Sequence, residues 1–207
     1  MPEPPTLPTL RAAAAQCRAC PLWERGTQTV FGEGPAAAEV VLVGEQPGNE
    51  EDLAGHPFIG PAGRLLDRAI TAAGIDRRTT YVTNAVKHFK WTARGKRRIH
   101  EKPTAGEVRA CTPWLHAELR ALRPRALVCL GATAAQALLG RAFRVSEHRG
   151  ELVASPLAPL VLATVHPSSV LRAPDNASRS AELERLIEDL AVIGAALRSG
   201  PPDAARP

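Results

Sequence analysis

Long uncharged apolar runs are missing from this 207-residue chain. The longest, Ala126 to Gly140, is broken by Gly, Thr and Gln and falls short of the roughly 18 residues a membrane-spanning helix needs, which excludes a helical membrane protein. Also missing is a basic start followed by an apolar segment, so no secretory signal is expected in MPEPPTLPTLR and the expected location is the cytoplasm. Cysteine is confined to four positions and aromatic residues to 4% of the chain. Lysine is scarce as well, with arginine outnumbering it 22 to 4, a bias of GC-rich coding that carries no functional weight. Acids fall short of bases, and the net charge of +5 points to a polyanionic partner.

The 44% hydrophobic content is enough for one domain with a real core. Residues 1–8 and 199–207 read as proline-rich tails around a single domain at 9–198. Apolar β-type runs at Glu39–Val43, Tyr81–Val86, Ala126–Leu130 and Leu160–Val165 alternate with helical stretches at about Pro61–Ala73, behind Ala126–Leu130, and at about Ser178–Leu197. Thr104 and Glu107 form a T-x-x-E capping box that starts a further helix, which Pro124 stops after Leu122. The expected fold is α/β: a three-layer α/β/α sandwich with a mostly parallel four-stranded central sheet. Ligands of such sheets bind beyond the carboxyl ends of the strands. Glu45, Asn84 and His166 follow three of those ends, so a carboxylate, an amide and an imidazole are expected on one rim.

Cys17 and Cys20 form a C-x2-C pair, with Cys111 in the capped helix and Cys129 in the third strand. Four thiolates suit zinc or an iron–sulfur cluster, whereas a cysteine inside an apolar strand is also an ordinary core residue. Zinc ribbons bring a second close pair, which Cys111 and Cys129 do not supply, so the spacing favours iron and sulfur. The stretch KHFKWTARGKRR from Lys87 to Arg98 holds six bases and no acid, with Phe89 and Trp91 interleaved. Bases bind phosphates and rings stack on unpaired bases, a pattern of single-stranded nucleic-acid binding that competes with a merely solvated loop. Six engaged phosphates would give binding a salt slope of about −4 to −5.

GEQPG (Gly44–Gly48), HPFIGPAGRLLD (His56–Asp67), TNAVKHFKW and HPSSVLR (His166–Arg172) together resemble the iron–sulfur branch of the uracil-DNA glycosylase superfamily, over most of the chain. KRRIH (Lys96–His100) resembles the loop of its UdgX subgroup, whose members become covalently attached to uracil-containing DNA. One position departs from the subgroup: Asn49 stands where an acid is usual.

The resemblance implies a 4Fe–4S cluster on Cys17, Cys20, Cys111 and Cys129 and action on uracil in DNA, preferably single-stranded; nothing in the sequence demands more than a monomer, and the lack of a long apolar run speaks against a membrane partner. It implies that Phe58 stacks on the extruded uracil, that Asn84 pairs with its O4 and N3–H edge, and that backbone N–H groups around Gln46 and a proton from His166 stabilise the departing anion. Glu45 would support the sugar cation, and His100 would take the place of water and bond to C1′. Lys96, Arg97 and Arg98, with Ser168 and Arg172, would hold the DNA backbone. The competing expectations are an ordinary glycosylase that turns over and a noncatalytic DNA-binding or electron-transfer iron–sulfur protein.

Overall fold

The computed structural model describes residues 2 and 5–199. Six strands form, β1 (Val40–Gly44), β2 (Thr80–Asn84), β3 (Trp91–Arg94), β4 (Arg97–His100), β5 (Ala126–Leu130) and β6 (Leu160–Thr164). Around them lie α1 (Leu7–Ala14), α2 (Asn49–Ala54), α3 (Pro61–Ala72), α4 (Ala105–Leu122), α5 (Ala132–Leu139), α6 (Val145–His148), α7 (Pro167–Leu171) and α8 (Asn176–Arg198). Of these helices, α1, α2, α6 and α7 were not expected as elements. Thr6 caps α1 through a reciprocal hydrogen-bond pair with Thr9, so helix begins inside the stretch expected to be a tail. The tail expected at 199–207 lies, from 200 onward, outside the described residues.

The central sheet has the order β2-β1-β5-β6 with every pair parallel. Its strands are buried almost throughout because both faces are covered. Val40, Leu42, Val128 and Leu162 face Leu66 and Ile70 of α3 and Leu186 and Leu190 of α8. The alternate residues Val41, Val43, Leu127 and Val161 face Leu115 and Leu119 of α4, with Ala134 and Ala135 of α5. These are the three layers expected from the alternation of strand and helix. The capping box is present, with Thr104 accepting from the Glu107 N–H. No helix among the described residues is long and apolar enough to cross a membrane.

Strand β2 ends at Asn84, two residues earlier than the apolar pattern suggests. The N–H groups of Ala85 and Val86 leave the sheet ladder and donate to the carbonyls of Gly44 and Glu45, both at 2.9 Å. That turn ties the end of β2 to the loop after β1. The basic stretch is no loop either: β3 and β4 pair antiparallel through a two-residue turn at Gly95 and Lys96, with Gly95 at φ +59°. A glycine in the left-handed region is what so tight a hairpin turn requires.

Candidate active site

Because the four central strands are parallel, Glu45, Asn84, the Gly131–Thr133 turn and His166 leave one rim, where they line a cavity of about 1180 Å³ with Phe58 and His100. Gly44 and Asn84 are register partners, and the missing side chain of Gly44 is the space into which the Asn84 amide, the tip of Phe58 and Nε2 of His166 converge. The Asn84 side chain, buried against this floor, has no hydrogen-bond partner among the described residues. Phe58 sits at φ +59°, a conformation that disfavours a bulky side chain, so its place in the wall is imposed by its surroundings. Gly63 makes that conformation possible, since a Cβ there would run into the Phe58 carbonyl.

His166 accepts at Nδ1 from the Ser168 N–H at 3.1 Å. A backbone donor settles the tautomer: the neutral ring carries its proton on Nε2, aimed at the cavity floor. The Ser168 hydroxyl lies 2.8 Å from the same Nδ1 and accepts in turn from Arg172 at 3.0 Å. Burial, with smaller contributions from Arg172 and His100, pulls the ring's pKa down to about 4, against the opposing pull of Glu45. His166 is therefore a neutral N–H donor at pH 7. Ser168 and Arg172, expected on the DNA backbone, line the cavity and hold this imidazole.

Glu45 meets His100, with Oε1 of the carboxylate 3.4 Å from Nε2 of the imidazole. Its other oxygen accepts from the Thr133 hydroxyl. Burial would raise this carboxyl, but the hydrogen bonds to His100 and Thr133 outweigh it and leave Glu45 below the usual range. Thr133 was not singled out from the sequence, although its GATAA turn was placed on the rim. His100 ends β4 and remains 51% exposed, with its ring 6.1 Å from that of Phe89.

The hairpin that carries His100 is braced at two points. Gln46, expected at the uracil site through its backbone, turns its side chain to the hairpin's ends: it accepts from the Lys90 N–H at 3.1 Å and donates to the Glu101 carbonyl at 2.9 Å. Arg98, expected on DNA, points the other way. It donates to Asp52 and to the Asn49 side chain, both at 2.7 Å, and lies over Phe89 and Trp91. The strand's alternation explains this, since Arg98 and His100 share the inward face and Arg97 and Ile99 the outward one. Asn49, the departure from the subgroup's pattern, is thus an acceptor for the brace.

The basic stretch is divided accordingly. Lys87 and Lys90 are paired with Glu118 and Glu107, and Arg98 with Asp52. Arg94, Lys96 and Arg97 alone of the six are exposed. Phe89 is buried and the Trp91 indole donates to the Arg25 carbonyl, so neither ring is free to stack on a base as the sequence pattern suggested.

The four cysteines do not come together. Cys17, Cys20 and Cys111 line one small cavity together with His88, whose Nε2 lies 3.0 Å from the Thr29 hydroxyl. Cys129 lies in the core face of β5 with Val41, Val43 and Leu115, where burial pushes its thiol up to about 12. Strand alternation sends its side chain toward α4 and away from the other three cysteines, so the expectation of a ligand at Cys129 gives way to the core-residue alternative. The Trp114 indole donates to Cys17 Sγ and the Lys87 N–H to Cys111 Sγ, each at 3.2 Å. Among the described residues no three His, Cys, Asp or Glu side chains converge closely enough to hold a single metal ion.

The family model described as the Uracil DNA glycosylase superfamily matches residues 31–191. A type-4 uracil-DNA glycosylase of Thermotoga maritima is 37% identical over 177 residues, 84% of this chain and 86% of that protein. One from Pyrobaculum aerophilum is 35% identical over 81% of this chain and 86% of its own length. A type-5 uracil-DNA glycosylase of the same organism is 32% identical over 79% of this chain and 76% of its own. With the parallel sheet and the rim that its strand ends build, the matches settle the descent: the chain belongs to the uracil DNA glycosylase superfamily and stands with its type-4 branch.

Proposed function

We propose that this protein excises uracil from DNA, single-stranded DNA above all, and remains attached through His100 to C1′ of the sugar it has stripped. The observation that carries the reading is the His100 imidazole, held on a braced hairpin at the cavity mouth against Glu45. The base enters beside Phe58, and the Asn84 amide meets its O4 and N3–H edge. Cytosine presents the opposite donor pattern and would leave the buried amide unpaired. As the glycosidic bond breaks, its electron pair leaves with uracil, whose O2 takes a hydrogen bond from His166 Nε2–H. A lone pair of the His100 ring then forms the bond to C1′, and the ionised Glu45 pairs with the imidazolium so formed, whose N–H proton passes to solvent. Held against the sugar, the imidazole has an effective concentration of about 10⁵ M and outcompetes water.

The protein is mixed with a single-stranded oligonucleotide containing one uracil, heated in SDS and run on a denaturing gel beside a thymine control. A uracil-dependent band heavier by one protein mass is the expected result. Alkali-sensitive strands without a shifted band would make it an ordinary glycosylase that turns over. Intact strands would favour a noncatalytic binding or electron-transfer role.

Two further outcomes follow from the electrostatics. Uracil release in single turnover should hold from pH 8 down to about pH 5 and fall as the pH passes His166's value of about 4. The sign follows from the tautomer, since protonation removes the Nδ1 lone pair that the Ser168 N–H occupies. For DNA affinity, only three of the six bases are free, so replacing Arg94, Lys96 and Arg97 by Ser should flatten the plot of log K against log salt by about 2, where all six would have removed about 4.

Cys17, Cys20, Cys111 and His88 would hold a 4Fe–4S cluster in this reading, supported by their place around one cavity. Three thiols and an imidazole surround one cavity without converging on a point, and N–H groups reach two of the sulfurs, as around cluster ligands. Such a cluster would tie the segment before β1 to α4 and to the turn after β2. A brown colour with absorbance near 400 nm should survive Cys129→Ala and be lost in Cys111→Ala.

A further inference from the structure

A buried cation sits directly behind the base-reading amide. Lys87 is 1% exposed and its ammonium group spends all three protons: on the Thr83 hydroxyl at 2.6 Å, on the Asn84 carbonyl at 2.8 Å, and on Glu118. Glu118 is itself fully buried on α4, where it also accepts from the Tyr81 hydroxyl at 2.9 Å and from the Gly32 N–H at 3.1 Å. One member of this network, the Lys87 ammonium, holds the carbonyl of Asn84, a residue that lines the cavity. The Asn84 amide has no side-chain partner among the described residues, so its aim depends on its backbone. On one side that backbone is pinned by Ala85 N–H on the Gly44 carbonyl. On the other it is pinned by Lys87.

We propose that Lys87 is a positioning residue for base recognition: through the Asn84 carbonyl it sets the direction of the amide that reads uracil. The proposal rests on the reading of Asn84 as the base-pairing group. Glu118 holds the ammonium in place and neutralises it, so that a cation can stand beside the pocket without itself binding an anion there. The Lys87 N–H on Cys111 Sγ makes the same residue the joint between the cysteine cavity and the base pocket.

Removing one charge alone would strand the other in the core, so the test uses Lys87→Met together with Glu118→Gln, in the full chain with Asn84 intact and with Asn84→Ala. Single-turnover uracil release is measured for all four proteins, with thermal unfolding to show that each is folded. With Asn84 present, the paired substitution should slow release about 10- to 100-fold, the effect of a misplacement near 1 Å. With Asn84→Ala it should change the rate less than about twofold, since a residue that acts only through another has nothing left to act on. An equal factor in both backgrounds, or none in either, would overturn the proposal and leave the pair a support of the fold. If Asn84→Ala alone leaves release unchanged, the reading of Asn84 falls first, and Lys87 with it. Should the paired variant fail to fold, Thr83→Val keeps both charges and loosens the ammonium, and the same cycle should show a smaller loss confined to the protein with Asn84.

Discussion

His100→Ser should release uracil and leave no protein on the DNA. A serine hydroxyl at the end of β4 lies too far back to reach the sugar, and it lacks the imidazole lone pair that competes with water. The amount of heat-stable adduct at fixed time should fall at least about 10³-fold, because the advantage lost is that of a nucleophile held in place. The cavity floor is untouched by this change: Gly44, Phe58, Asn84 and His166 belong to other elements. The hairpin itself should also stay, since Gln46 and Arg98 hold it without help from His100. Alkali-sensitive strands with no shifted band on the denaturing gel would therefore separate attachment from excision. A persistent adduct in the variant would sink the assignment of His100 as the nucleophile.

Gly44→Ala should give a folded protein that no longer excises uracil. A Cβ at this position would stand 2.7 Å from Cζ of Phe58 and 3.3 Å from Nε2 of His166, and closer still to the Asn84 amide. All three neighbours are the ends of side chains, so the strand can absorb the methyl group by moving them. Those three ends are the wall that meets the base, and a shift of about 1 Å in such groups costs about 10²-fold in rate. Single-turnover release should fall by that factor or more while circular dichroism and the unfolding temperature change little. Wild-type release in Gly44→Ala would place the base somewhere other than this floor.

The four central strands, the capped helix α4 and the rim shared by Glu45, Asn84 and His166 are legible in the residues themselves. Apolar runs, helical periodicity and a capping box act between near neighbours, and a parallel sheet sends every strand's carboxyl end the same way. The β3–β4 hairpin was legible too, in the Gly95–Lys96 pair between strand-like residues, but the density of charge hid it. What no local pattern carried was the partner of each polar group. Arg98 and Cys129 read as a DNA contact and a cluster ligand and Lys87 as one of six bases in a nucleic-acid-binding stretch, and the fold makes them a brace to α2, a core thiol and a buried strut. His88 takes the place beside the other cysteines because the turn after β2 packs against the C-x2-C segment, a contact spanning some seventy residues. Glu118 and Asp52 choose their cations at separations of 31 and 46 residues. Composition and periodicity determined the four central strands, the helices that cover them and which loops meet at the rim. Only the tertiary structure decided which charges are neutralised inside and which still face the solvent, because burying an ion is tolerable only opposite a partner that the folded chain brings to it.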